Sequence, residues 1–162
     1  MMRGDILKLE WKKLLICIAI PLAVGGLSAL ITSGNMDLYT EIEQPALAPP
    51  GWLFPVVWTV LYVLMGIALY LVVITRTRED KRNAVVSFGV QLFFNFFWSI
   101  IFFNARAFLF AFVWLIFLWL AIIANIYFFY KINKNAGKLL IPYLIWVTFA
   151  GYLNFGIYIL NP

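Results

Sequence analysis

Five long stretches of this chain carry no charged residue: 14–32, 52–75, 83–105, 107–130 and 139–162. Each reaches or nearly reaches the ~20 residues that an α-helix needs to cross the hydrocarbon of a bilayer. No water is available there to backbone N–H and C=O groups, so a spanning segment must satisfy them itself, as a helix does. The expectation is an all-α membrane protein. It is a five-transmembrane-helix bundle with spans over about 14–32, 52–75, 83–105, 107–130 and 139–160, all within a single membrane domain over 1–162. The hydrophobic fraction of 65% lies well beyond the ~45–50% of soluble domains. The first stretch is too long for a signal-peptide core and lacks the usual small-residue cleavage site, so it reads as a retained helix.

Charge placement gives an orientation. Of the 12 basic residues, only Arg106 falls in a connection on one side. Arg3, Lys8, Lys12 and Lys13 precede the first span, Arg76, Arg78, Lys81 and Arg82 separate the second and third, and Lys131, Lys134 and Lys138 separate the fourth and fifth. Basic residues concentrate in cytoplasmic loops, so the N-terminus is expected to be cytoplasmic. The net charge of +5 therefore sets topology and does not mark nucleic-acid binding. The same asymmetry favours the bacterial cytoplasmic membrane. The first 13 residues, with Ile6, Leu7, Leu9 and Trp11 among charges, read as an interfacial amphipathic segment.

The chain has no histidine and one cysteine, Cys17. That excludes histidine-based metal sites, histidine general bases and disulfides within the chain. The spans hold no carboxylate or amine that would mark a proton relay or ion path. They hold six tryptophans and several carboxamides instead, a composition suited to a pocket for a large, flat, mostly apolar molecule.

Helical spacing sorts these residues into faces. Trp58 and Tyr62 share a face in the second span with Met65 or Gly66. Gln91, Asn95 and Trp98 share one in the third, and Tyr143, Trp146, Ala150 and Asn154 in the fifth, flanked by Leu153. Amides exposed to lipid are costly, so Gln91, Asn95 and Asn154 are expected to face the bundle interior. They serve there either as interhelical glue or as ligand contacts. Trp114 and Trp119 fit lipid or core equally. Gly25 and Ala29 in the first span provide either close helix packing or room for a ligand. The longest connection, 33–50, is acidic and proline-rich and reads as a lid. The short turn Asn104-Ala105-Arg106 makes the third and fourth spans antiparallel neighbours. The absence of an internal repeat argues against an inverted-repeat transporter.

Three ordered motifs carry a family resemblance. The first runs from Pro45 through Pro49-Pro50-Gly51-Trp52 and Pro55-Val56-Val57-Trp58-Thr59 to Tyr62 and Met65-Gly66. The second holds Gln91-Leu92, Asn95, Trp98-Ser99, Phe102-Phe103 and Ala105-Arg106. The third holds Pro142-Tyr143-Leu144, Trp146-Val147, Phe149-Ala150 and Leu153-Asn154. Together, over about 21–160, they resemble the signature of the tryptophan-rich sensory protein/translocator protein (TspO) family, also called peripheral-type benzodiazepine receptors.

The resemblance implies a five-helix receptor for porphyrin, haem and related tetrapyrroles, and for isoquinoline-carboxamide and benzodiazepine-type ligands. It implies no obligatory cofactor, and often a homodimer. Carried over position by position, the ligand-binding residues are Tyr39, Trp58, Tyr62, Asn95, Trp98, Trp146, Ala150 and Leu153. In bacterial relatives the tryptophans matching Trp58 and Trp146 are associated with photo-oxidative breakdown of protoporphyrin, making these two the catalytic candidates should the chain be an enzyme. A tetrapyrrole transporter is the remaining alternative. Two departures stand out. Leu47 occupies a position where the family often has tryptophan. No Lys or Arg follows Asn154, which argues against the cholesterol-recognition pattern of animal members.

Overall fold

The computed structural model describes residues 10–161. Most of the expected interfacial segment at the N-terminus lies outside the described residues. Within them the chain is helical, without strands: α1 (Trp11–Thr32), a 3₁₀ turn (Ser33–Asn35), α2 (Leu38–Glu41), α3 (Leu53–Ile74), α4 (Arg82–Ser99) running into a π-helical turn (Ile100–Asn104), α5 (Phe108–Ile132), α6 (Lys134–Leu139) and α7 (Ile141–Leu160). Five helical units are long and apolar enough to span a membrane, the last being α6 and α7 together, Lys134–Leu160.

Prolines place two of the helix boundaries. Pro55 sits in the first turn of α3, where a backbone N–H has no intrahelical acceptor and its loss is harmless. Pro142 sits in the first turn of α7. It cannot donate to the carbonyl of Lys138, so the fifth span breaks at Leu140 rather than running unbroken from 139. The Leu140 N–H bonds back to Gly137 O at 3.2 Å, closing α6 with a tight turn. At its other end α6 is capped by Asn133, whose side chain accepts from the N–H groups of Asn135 and Ala136.

The spans close into a ring in which α1 packs on α3, α3 on α6, α6 and α7 on α5, α5 on α4, and α4 on α1. The antiparallel pairing of α4 with α5 follows from the short turn between them, where Arg106 takes a positive φ of 50°. Close approach of α1 and α3 depends on two glycines. A Cβ on Gly66 would collide with the Ile18 backbone, and a Cβ on Gly25 would enter the Tyr62 ring. Small residues serve this role where apolar helices pack in lipid.

Buried amides tie the ring together. Gln91, Asn95, Asn125 and Asn154 are all buried, and the three expected to face inward do so. Asn125 holds α5 to α4 through a 2.9 Å bond to Ser87 Oγ. Trp114 and Trp119, which periodicity left open, are both half-buried. Each uses its indole N–H across a helix boundary, Trp114 to Phe94 O at 2.8 Å and Trp119 to Thr148 Oγ1 at 2.9 Å.

Candidate ligand cavity beneath the lid

At the end of the bundle where α1 stops and α3 begins, the ring encloses a cavity of about 340 Å³. That is within the range of small-molecule sites, roughly 300–1,000 Å³. Its walls come from four spans: Gly25, Ser28, Ala29 and Thr32 of α1, Trp58 and Tyr62 of α3, Trp98 and Phe102 of α4 and its π turn, and Ala150, Leu153 and Asn154 of α7. Single π turns inside helices are frequent at functional sites, and here one carries Phe102 and Phe103 into the wall.

Aromatic rings dominate. Trp58 stacks on Tyr62 with centroids 5.6 Å apart and meets Tyr143 edge-on at 6.1 Å. Trp98 stacks on Phe102 at 5.4 Å, and its indole N–H donates to Asn154 Oδ1 at 3.2 Å. Asn154 in turn donates to Phe108 O at 2.8 Å. Ala150 leaves space where a larger side chain would fill the site.

The roof is the connection 33–50, whose first half folds into the 3₁₀ turn and α2. Tyr39 points in from α2 and meets Phe54 edge-on at 5.1 Å. Its phenol donates to Pro49 O at 3.0 Å, and burial pushes the phenol pKa up, keeping it protonated as a donor. The Gln44 side-chain amide donates to Tyr39 O. The roof is fastened to the bundle at several points. Asn161 accepts from Glu43 N and donates to Glu43 O, both at 2.9 Å. Tyr152 donates to Ala46 O at 2.7 Å, and Pro45 packs on Gly156, which has no Cβ to obstruct it. Asn35 donates to Asn104 at 2.9 Å, and Arg106 lies 3.7 Å from Glu41. Leu47 projects outward, 81% exposed with φ of 68°.

Of the eight residues singled out from sequence, the structure brings Tyr39, Trp58, Tyr62, Trp98, Ala150 and Leu153 onto the cavity wall. Asn95 lies beneath the floor. It accepts from the Tyr62 phenol at 2.7 Å and donates to Tyr143 OH at 2.8 Å, and Tyr143 donates to Gln91 Oε1 at 3.0 Å. Trp146 lies behind Phe54, with ring centroids 5.8 Å apart. Its indole N–H is the one buried side-chain polar group without a hydrogen-bond partner among the described residues. Sequence reasoning missed Phe54, which stands between Trp146 and the cavity, and Ser28 and Thr32 of α1. Of the Gly25/Ala29 pair, Gly25 accommodates the Tyr62 ring, and both residues line the cavity. Among the described residues no group of three or more His, Cys, Asp or Glu is placed to hold a metal ion.

Comparison with known proteins matches these features to one family. The model of the TspO/MBR family matches residues 17–160. The chain is 42% identical over 151 residues to Tryptophan-rich protein TspO of Chlorobaculum tepidum, covering 92% of this chain and 96% of that one. It is 35% identical over 119 residues to Tryptophan-rich sensory protein of Cereibacter sphaeroides, covering 74% and 73%. It is 35% identical over 131 residues to the human Translocator protein, covering 79% and 77%. With five membrane-spanning helices and a match over nearly its whole length, the chain belongs to the TspO/MBR family as an integral membrane protein.

Proposed function

We propose that this protein is a membrane receptor or scavenger for tetrapyrroles, porphyrin or haem, which enter the cavity beneath the 33–50 lid. The carrying observation is the cavity itself: apolar, walled by Trp58, Tyr62, Trp98 and Phe102, and roofed by Tyr39. A flat conjugated ring gains about 0.5–1.5 kcal/mol per aromatic contact beyond area burial. Several such contacts with burial support an affinity near micromolar, about −8 kcal/mol. Isoquinoline-carboxamide and benzodiazepine-type molecules, flat and uncharged, would compete for the same space. Trp146 joins the site if Phe54 swings aside on ligand entry. The lid end faces away from the cytoplasm on this reading, because the basic connections lie at the other end. The asymmetry also favours the bacterial cytoplasmic membrane.

The test is quenching of tryptophan fluorescence by protoporphyrin IX, and by its dimethyl ester, in detergent and in the dark. Saturable quenching by either, weakened by Trp58→Ala and Trp146→Ala, is expected. Unsaturable quenching by both, insensitive to the substitutions, contradicts the proposal.

A second reading is light- and oxygen-dependent breakdown of a bound porphyrin. The Trp58–Tyr62 stack favours it, since it places two oxidisable rings in contact on the cavity wall, the phenol already hydrogen-bonded to Asn95. Molecular oxygen would be the oxidant and the excited ligand the sensitiser: an electron would pass from the Trp58–Tyr62 pair to the excited macrocycle and on to oxygen, and the oxidised side chain would recover it from the macrocycle, the molecule that is broken down. Under illumination Trp58→Phe is then expected to slow product formation while porphyrin still binds; bleaching equal to that by denatured protein contradicts this reading.

A further inference from the structure

Five tryptophans lie within α3, α4, α5 and α7, and three of them have an acceptor for the indole N–H. Trp98 donates to Asn154 Oδ1, Trp114 to Phe94 O and Trp119 to Thr148 Oγ1. Trp58 has no partner among the described residues, but it lines the cavity, where an occupant can meet it. Trp146 is different. Its Nε1 is buried and unpaired among the described residues. The rings beside it, Phe149 at 5.6 Å and Phe54 at 5.8 Å, carry no acceptor oxygen. A buried donor left without an acceptor is destabilising, and native structures keep few of them, so each calls for a specific account.

Phe54 supplies that account. Its ring lines the cavity on one side and backs onto Trp146 on the other. Edge-on contacts hold it there, to Trp146 and to Tyr39 at 5.1 Å. Tyr39 is fixed independently by its bond to Pro49 O, so the roof need not move with Phe54. The ring is half-buried, in the first turn of α3, and α3 does not pack closely on α7. The space between these two helices at the lid end is therefore filled by side chains, which rotate, rather than by backbone. At about 340 Å³ the cavity is near the lower end of the range for ligand sites, roughly 300–1,000 Å³, and rotation of Phe54 extends it to Trp146.

We infer that Phe54 gates a hydrogen-bonding subsite: an acceptor oxygen on the rim of the ligand, carbonyl or carboxylate, turns the Phe54 ring aside and takes the Trp146 indole N–H. The inference rests on the tetrapyrrole reading and deepens it, naming a group that the site recognises beyond the flat face of the macrocycle. An indole N–H donates only, so the subsite selects for an acceptor. The new bond offsets the edge contacts that Phe54 gives up. A ligand without such an oxygen gains nothing by opening the gate and leaves Trp146 covered.

The test compares three porphyrins on the full-length protein in detergent and in the dark: protoporphyrin IX with its carboxylates, its dimethyl ester with carbonyls, and octaethylporphyrin with neither. Binding is read from the porphyrin's own absorbance, so that loss of a tryptophan does not alter the signal, and helicity is checked for each variant. Trp146→Phe keeps a ring and removes the N–H. It is expected to weaken the diacid roughly tenfold and the ester several-fold, leaving octaethylporphyrin within about twofold, because a bond to a charged acceptor is the stronger. Phe54→Leu keeps the space filled but lacks the edge contacts that hold the gate shut, and should tighten diacid and ester several-fold. A response confined to the diacid or to the ester assigns the oxygen to a carboxylate or to a carbonyl. Trp146→Phe acting on all three ligands alike, or on none, overturns the inference. So does a Phe54→Leu variant that weakens the oxygen-bearing ligands or leaves them unchanged, which makes Phe54 a fixed wall. Both of these results leave the tetrapyrrole reading standing, whereas saturation of the wild type by none of the three ends that reading and the inference with it.

Discussion

The Tyr62 phenol donates to Asn95 Oδ1 at 2.7 Å, so a residue of the cavity wall is fixed by one that lies beneath it. Asn95 also donates to Tyr143, which makes it the junction of three spans, α3, α4 and α7. Its part is to hold two rings in place. Asn95→Ala leaves the Tyr62 phenol without its acceptor, at about 1–3 kcal/mol for an unsatisfied buried group, and removes the donor to the Tyr143 oxygen, whose own bond to Gln91 remains. The expected result is a clear loss of thermal stability with weakened porphyrin binding. Tyr62→Phe should cost less, because only Asn95 Oδ1 loses its donor.

Adjacent glycines in α1 are expected to behave differently. Gly25 faces the Tyr62 ring, whereas Gly26 has open space around its Cβ position. Gly25→Ala must displace the ring, and overpacking of this kind costs about 1–3 kcal/mol. Gly26→Ala should be neutral or stabilise slightly, since alanine lowers the entropy cost of a helix position by roughly 0.5–1 kcal/mol. Melting curves of the two variants in the same detergent check this, and equal shifts would contradict the close-approach account.

The lid should loosen when its far anchor is cut. The Asn161 side chain makes two bonds to the Glu43 backbone and a third to Ile157 O, and a net contribution of about 0.5–1.5 kcal/mol per bond to the lid implies a several-fold faster porphyrin dissociation in Asn161→Ala. Stopped-flow dissociation reads this directly. An unchanged rate would mean that the ligand leaves without the lid opening.

Much of this arrangement was legible in the sequence, for physical reasons that differ by residue. The absence of charge from five stretches gave the spans, because lipid tolerates few alternatives to a helix. Gln91, Asn95 and Asn154 could be turned inward because an amide facing lipid is costly, and Trp58 and Tyr62 share a face by spacing alone. What spacing could not supply was distance across helices. It placed Asn95 on the interior face, but not in the bonds that Tyr62 and Tyr143 make with it. Nor could it show that Phe54 stands before Trp146, or that Asn161 meets Glu43 from the far end of the chain. The break at Leu140 was not read from the sequence, although Pro142 lacks the N–H that would bond to the Lys138 carbonyl; Pro21 lies inside an unbroken α1, so a proline alone does not place such a break.

The central claim is that the porphyrin site is the cavity between α1, α3, α4 and α7. It is tested most directly by filling that cavity. Ala150 is buried on the wall, and Ala150→Trp would occupy space that the ligand needs. Titrating wild type and Ala150→Trp side by side with protoporphyrin IX and its dimethyl ester, in the dark and with helicity checked for both, should give saturable quenching in the wild type alone. Saturable binding of equal affinity in a folded Ala150→Trp variant would place the site elsewhere and contradict the account.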